Sequence, residues 1–198
     1  MKRLVVASNN SGKLREIAAL LEPLATEVIP QSRLGIAEAD EPHDTFLENA
    51  LAKAQHASRA CGLPALADDS GLCVDALGGA PGVHSAYYAG RAGSREQRDA
   101  RNNAKLLSEL KRDRAAHYQC VMVLLRHPDD AHPLVAEGIW RGEIARAPRG
   151  SNGFGYDPLF FVPDLKQTAA ELDPATKNRI SHRGIALQKL LGLIQEWK

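Results

Sequence analysis

Residues 62–83, GLPALADDSGLCVDALGGAPGV, constrain the fold more than any other stretch of the chain. Two short apolar runs, 63–67 and 72–77, flank Asp68 and Asp69, and a glycine cluster at Gly78, Gly79 and Gly82 follows. Apolar runs of this length, bounded by glycine and proline, read as buried strand. A buried strand does not carry two adjacent carboxylates unless something meets them. If residues 65–70 are extended, side chains alternate, and Asp68 and Asp69 face opposite sides of a sheet. Regular strand geometry then forbids both from binding one metal: one can face a site while the other supports structure. The letters Asp-Asp-Ser-Gly also suit a turn, so the run alone leaves both readings open. The glycines shape the turn beyond, where backbone conformations closed to other residues are needed.

Elsewhere the periodicity alternates between strand and helix. Residues 4–8 read as a short buried strand that passes through Asn-Asn-Ser-Gly into a helix over 13–21, stopped by Pro23. A strand is expected near 27–30. The segment 35–44 is acidic and irregular, and Asp44 or Thr45 caps the next helix, with Thr45 and Glu48 at capping-box spacing. That helix runs to about residue 60, with Leu47, Ala50, Leu51 and Ala54 on its apolar face and Asn49, Lys53 and His56 on a polar stripe. A third helix is expected over 94–110, then strands over 118–126, 134–140, 142–147 and 159–162. The tail reads as helix, capped by Asp173 with Pro174 at its first position. Interleaved helices and strands predict an α/β fold. At 198 residues, the chain suits one domain spanning 1–198, either compact or with two lobes around a cleft.

Composition narrows the function classes. The chain is 44% hydrophobic and 25% charged, which excludes a disordered chain. Its net charge of +1 gives no global field for nucleic acid or a membrane surface, and there is no long Lys/Arg run. Basic residues gather locally instead, over 91–101, 111–114, 141–149 and 177–183, which suits a small anionic ligand. Cys61, Cys73 and Cys120 are odd in number, widely spaced and free of any C-x-x-C pair, so they read as small apolar residues in a reducing compartment. No apolar run approaches the ~20 residues of a membrane span. The opening run is too short for a signal peptide, and a cytoplasmic protein is expected.

Four constellations carry chemistry. Ser8, Asn9, Asn10, Ser11, Gly12 and Lys13 join a strand to a helix start, where backbone N–H groups and an ammonium make a natural phosphate site, or form a plain strand-to-helix turn with a solvated lysine. It is not a Walker A loop: Ala7 stands where that motif needs glycine and Leu14 where it needs Ser or Thr. A carboxylate at Asp69 can hold Mg²⁺ and accept a proton from water, and Glu41 offers a second hard oxygen or is simply a solvated charge. Phe154 and Tyr156, set among glycines on a loop, can stack on a planar base, or pin that loop to the core. Lys177, Arg179, His182 and Arg183 gather donors for phosphate or a carbonyl edge, or form a solvated helix face. Jointly they outline a nucleoside triphosphate site without a P-loop.

The segments VVASNNSGK, FLENALAKA, LADDSGLCVDALGGAPGVHSAYYAG, GFGYDPLFF and ISHRG, in this order over nearly the whole chain, resemble the inosine triphosphate pyrophosphatases. The resemblance implies a mixed twisted sheet flanked by helices, two lobes with the active-site cleft between them, and a homodimer. It implies Mg²⁺-dependent hydrolysis of ITP, dITP and XTP to monophosphate and pyrophosphate. Carried over by position, it makes Asp69 the general base and a metal ligand, Glu41 the other ligand, and Ser8 to Lys13 the triphosphate site. Lys53 and Ser70 would touch substrate, and Phe154, Gly155, Tyr156, Asp157, Lys177, His182 and Arg183 would hold the base and remaining phosphates. Where the family often has glycine in the first motif this chain has Asn9, a residue that tolerates left-handed backbone. Two other readings fit the same residues: a nucleoside triphosphatase for other modified nucleotides, and a non-catalytic nucleotide-binding module.

Overall fold

Strand alternation governs how this chain is built. The computed structural model describes residues 2–22 and 26–196. Its seven strands are β1 (Arg3–Val6), β2 (Glu27–Pro30), β3 (Ala65–Val74), β4 (Ala115–Leu125), β5 (Leu134–Ile144), β6 (Phe160–Val162) and β7 (Gln167–Thr168). They form one sheet in the order β2-β1-β3-β4-β5-β6-β7. β1 runs parallel to β2 and β3, while β6 is antiparallel to β5 and β7, so the sheet is mixed. The helices are α1 (Ser11–Leu21), α2 (Phe46–Cys61), α3 (Arg95–Glu109), α4 (Pro174–Ile180) and α5 (His182–Glu196). No helix among the described residues is long and apolar enough to cross a membrane.

The chain divides into two compact units: Met1–Asp69, Cys120–Gly138 and His182–Lys198 make the first, Ser70–Gln119 and Ile139–Ser181 the second. In the first, period-two alternation sorts residues onto two faces. Leu4, Val6, Leu66, Met122 and Leu124 pack with Ile17 and Leu21 of α1 and Leu187 and Leu190 of α5. Val5, Ala7, Ala65, Ala67, Val123 and Leu125 pack against Ala50, Ala54 and Ala57 of α2. The alanines let the helix approach closely. The second unit has one core, in which Leu72, Val74, Tyr118, Trp140 and Phe160 meet Leu106 and Leu110 from α3 and the residue after it.

Local signals located the helix ends well. Thr45, rather than Asp44, caps α2 by accepting from the Glu48 N–H at 3.2 Å. Ser94 and Gln97 form a capping box on α3, and Asp173 caps α4 with Pro174 in first position. Helix α1 starts at Ser11, earlier than expected, because the Asn10 side chain accepts from both Gly12 and Lys13 N–H groups. The expected stop at Pro23 lies outside the described residues.

Two elements differ from expectation. The anticipated break at Gly142 is absent, and β5 runs unbroken. A Cβ at Gly142 would meet the Phe161 carbonyl at 2.5 Å and the Phe160 ring at 2.7 Å, so this glycine makes room for β6. The helical tail is two helices, split at extended, buried Ser181, where the chain passes from the second unit back to the first.

Helix α5 sits hard against β5. A Cβ on Gly138 would lie 2.0 Å from the His182 carbonyl oxygen and 2.6 Å from the Ala186 nitrogen. Both are backbone atoms that cannot swing aside. Gly138→Ala is expected to cost about 3 kcal/mol through overpacking and to lower Tm by about 6–12 °C. Calorimetry with an unchanged Tm would contradict this seating of the helix.

Candidate active site

The alternation that builds the first unit continues through its two aspartates. Asp69 lies on the α2 side of β3 and Asp68 on the α1 and α5 side, as extended geometry requires.

On the α2 side, Lys53 Nζ lies 2.9 Å from Asp69 Oδ1 and 2.6 Å from Glu41 Oε1. Asn49, one turn earlier, donates to Asp69 Oδ2 at 3.4 Å, donates to the His43 carbonyl and accepts the His43 N–H, both at 3.0 Å. One turn later His56 Nε2 meets the Ala37 carbonyl at 3.0 Å. The polar stripe of α2, spaced by four and three residues, thus fastens the irregular acidic segment along the helix and brings Glu41 to Asp69. Asn49 and His56 were legible as a stripe, but their partner segment was not.

Burial pushes the Asp69 carboxyl above its ordinary range, and Glu41 adds to the rise; Lys53 and Lys13 pull it down without cancelling it. Burial disfavours the Lys53 ammonium too, but Asp69 and Glu41 outweigh that and hold it charged. In metal-free protein, carbon NMR titration is expected to place Asp69 above the ordinary aspartate range, and Lys53→Met to move it higher. A resonance at or below that range would contradict a field dominated by burial.

On the opposite face, Asp68 Oδ2 is 3.0 Å from Lys13 Nζ and 3.1 Å from Arg183 Nη2, and Arg183 also pairs with Glu16. Burial opposes ionisation of Asp68, yet Lys13 and Arg183 hold it well below the usual carboxylate range. Cys120 Sγ lies 3.9 Å from the same oxygen, and burial, reinforced by Asp68, pushes its thiol up to about 12. That thiol is inert at working pH.

The loop before α1 is held by its own side chains: Asn10 N–H donates to Ser8 Oγ at 3.2 Å, and Asn9 Oδ1 accepts from Gln31 at 3.3 Å. Asn9 does not use its tolerance for left-handed backbone, since Lys166 is the only non-glycine with positive φ among the described residues. The Asn10 cap occupies the Gly12 and Lys13 N–H groups, so an anion here would lean on the Lys13 ammonium and the dipole.

In the second unit, Asp157 organises the glycine-rich loop. Its Oδ2 accepts from Lys177 Nζ at 2.6 Å and from the Phe154 N–H at 2.9 Å, while Oδ1 accepts from the Tyr118 hydroxyl at 3.3 Å. Phe154 is half-buried, with Lys177 Nζ 5.0 Å and the Arg95 guanidinium 4.8 Å from its ring centroid. Of the two roles open to the loop's aromatics, Tyr156 takes that of pinning the loop to the core. Its ring is buried in the core, only 4% exposed, and its hydroxyl donates to the Ser85 carbonyl at 2.9 Å. Ser70 follows Asp69 as the first residue of this unit and is half-buried; Gly155 sits beside Phe154 at positive φ. His182 and Arg183, at the start of α5, are almost wholly buried, so Arg183 serves Asp68 rather than an open surface.

No group of three or more His, Cys, Asp or Glu side chains gathers to hold a metal among the described residues. What exists is a pair of hard oxygen donors, Asp69 and Glu41, converging on one ammonium. This donor set fits Mg²⁺, which takes one or two carboxylates and completes its shell with substrate phosphates and water.

The model of the Ham1 family matches residues 4–193. A dITP/XTP pyrophosphatase of Burkholderia pseudomallei is 64% identical over 196 residues, covering 98% of this chain and 94% of that protein. One from Ralstonia nicotianae is 62% identical over 193 residues, 96% of each chain. Among solved structures, a HAM1 protein from Coxiella burnetii superposes with a TM-score of 0.90 at 49% identity, over 99% of this chain and 100% of that one.

Proposed function

The chain belongs to the Ham1 family, and from that premise we propose that it hydrolyses ITP, dITP and XTP to the monophosphate and pyrophosphate. The observation that carries the proposal is the arrangement around Asp69: a buried, ionisable carboxylate joined through Lys53 to a second carboxylate, Glu41. A purely structural buried aspartate is better served by the full neutralisation that Asp68 receives next door.

In this reading Asp69 and Glu41 would hold Mg²⁺, which when bound would supply neutralisation of phosphate charge and a more acidic water. Asp69 takes the proton of the attacking water as general base. Lys53, fixed between both carboxylates, supplies a positive charge for a phosphate oxygen. Lys13 and the start of α1 hold the outer phosphates. Phe154 supports the base, and Lys177 beside it offers a donor to a 6-oxo group. A site built to donate there leaves its donor unpaired against the 6-amino group of adenine, a mismatch worth ~10⁴-fold. The enzyme would act as a cytoplasmic homodimer. The three unpaired cysteines suit a reducing compartment.

Steady-state rates with Mg²⁺ on ITP, dITP, XTP, GTP and ATP test the reading. The first three are expected to be hydrolysed with kcat/KM far above the last two. Equal rates on all five purines would overturn the assignment of substrate.

A further inference from the structure

One helix grips the peptide that follows Phe154 from both ends. Asp99 and Asn103 lie one turn apart on α3, which puts both side chains on one face. Asp99 Oδ2 accepts from the Gly155 N–H at 2.9 Å, and Asn103 Nδ2 donates to the Gly155 carbonyl at 3.0 Å. Gly155 stands at φ +63°, and nothing lies within 4 Å of the place its Cβ would take. Crowding therefore does not hold this left-handed turn; the paired hydrogen bonds do.

Asp99 has a second partner. Its Oδ2 lies 3.7 Å from Arg95 Nε, and the Arg95 guanidinium lies 4.8 Å from the centroid of the Phe154 ring. The same carboxylate thus fixes the backbone after the ring and the cation over it. Two half-exposed side chains on a helix would be satisfied by water; here both are aimed at one glycine.

We propose that Asp99, assisted by Asn103, is a positioning residue for recognition of the nucleobase. It aims the Phe154 ring and places Arg95, so it governs affinity for the base and leaves the phosphate chemistry alone. This rests on the pyrophosphatase reading, in which Phe154 supports the base.

The test compares ITP with ribose 5′-triphosphate, which carries the phosphates without a base, in the native enzyme and in Asp99→Ala, Asp99→Asn and Asn103→Ala. Asp99→Ala is expected to raise KM for ITP about tenfold with kcat within about twofold, the loss of a hydrogen bond and an ion pair. KM for ribose 5′-triphosphate stays at the native value. Asp99→Asn, whose amide oxygen still accepts from Gly155, recovers most of the loss, and Asn103→Ala shifts KM for ITP in the same direction by a smaller factor. Asn103→Ala keeps the test decisive if Asp99→Ala does not fold. An unchanged KM for ITP, or an equal rise for both substrates with no rescue by Asp99→Asn, would overturn the proposal. A native enzyme inactive on both substrates would instead defeat the pyrophosphatase reading on which it rests.

Discussion

Asp69→Asn is expected to lower kcat on dITP by about three orders of magnitude, within the range for loss of a positioned general base. The amide has the shape of the carboxyl but cannot take a proton from water and is a poor metal ligand. The fold is expected to survive. Lys53 keeps Glu41 at 2.6 Å, so the buried ammonium is not orphaned. Asp69 has a folded pKa above its unfolded one, because burial penalises its charge. Its stabilising contribution is complete below the unfolded value of about 3.9 and is lost as pH rises through the folded value. At neutral pH Asn relieves the burial of that charge but also takes from Lys53 the carboxylate that does most to hold it ionised, so the two effects oppose and Tm is expected near native. A well-folded Asp69→Asn enzyme with near-native kcat would sink the assignment of the base.

Asp68→Ala should do the opposite: damage the fold first. Asp68 meets Lys13 and Arg183 in an environment that leaves almost none of it exposed. Removing it takes the buried carboxylate from Lys13 and from Arg183, which keeps its pair with Glu16. Breaking a buried ion pair in this way costs about 3–5 kcal/mol, which lowers Tm by about 6–20 °C in a chain of this size. Here the folded pKa is depressed, so the stabilisation is present above the unfolded value of about 3.9 and fades as pH falls through the folded one. The gap between native and variant in urea unfolding should be full at neutral pH and narrow in acid. Equal unfolding midpoints at neutral pH would show that the network contributes nothing to stability.

These contrasting outcomes come from neighbouring residues. Of the two readings the letters allowed, strand or turn, the strand holds, and alternation along it puts Asp68 and Asp69 on opposite faces. The caps at Thr45 and Asp173 were legible for the same reason: their partners lie within three residues. What stayed hidden is non-local. Arg183 meets Asp68 across 115 residues of chain and Glu16 across 167, and no local pattern carries such pairings. The polar stripe of α2 was visible, but not that it fastens the segment bearing Glu41. The run over 134–144 read as two strands parted before Gly142, because the reason for that glycine, the approach of β6, lies in another part of the chain. Phe154 and Tyr156 were indistinguishable as letters two apart. Only the core around Ser85 takes Tyr156 inward and leaves Phe154 at the loop.

Release of monophosphate and pyrophosphate requires the water activated by Asp69 to attack the α-phosphorus of the nucleoside triphosphate. Hydrolysing dITP in water labelled with heavy oxygen and locating the label by mass spectrometry tests it directly. Label confined to the nucleoside monophosphate, beside unlabelled pyrophosphate, is the result expected. Label in pyrophosphate, or formation of diphosphate and orthophosphate, would mean that water attacks elsewhere and would contradict the mechanism.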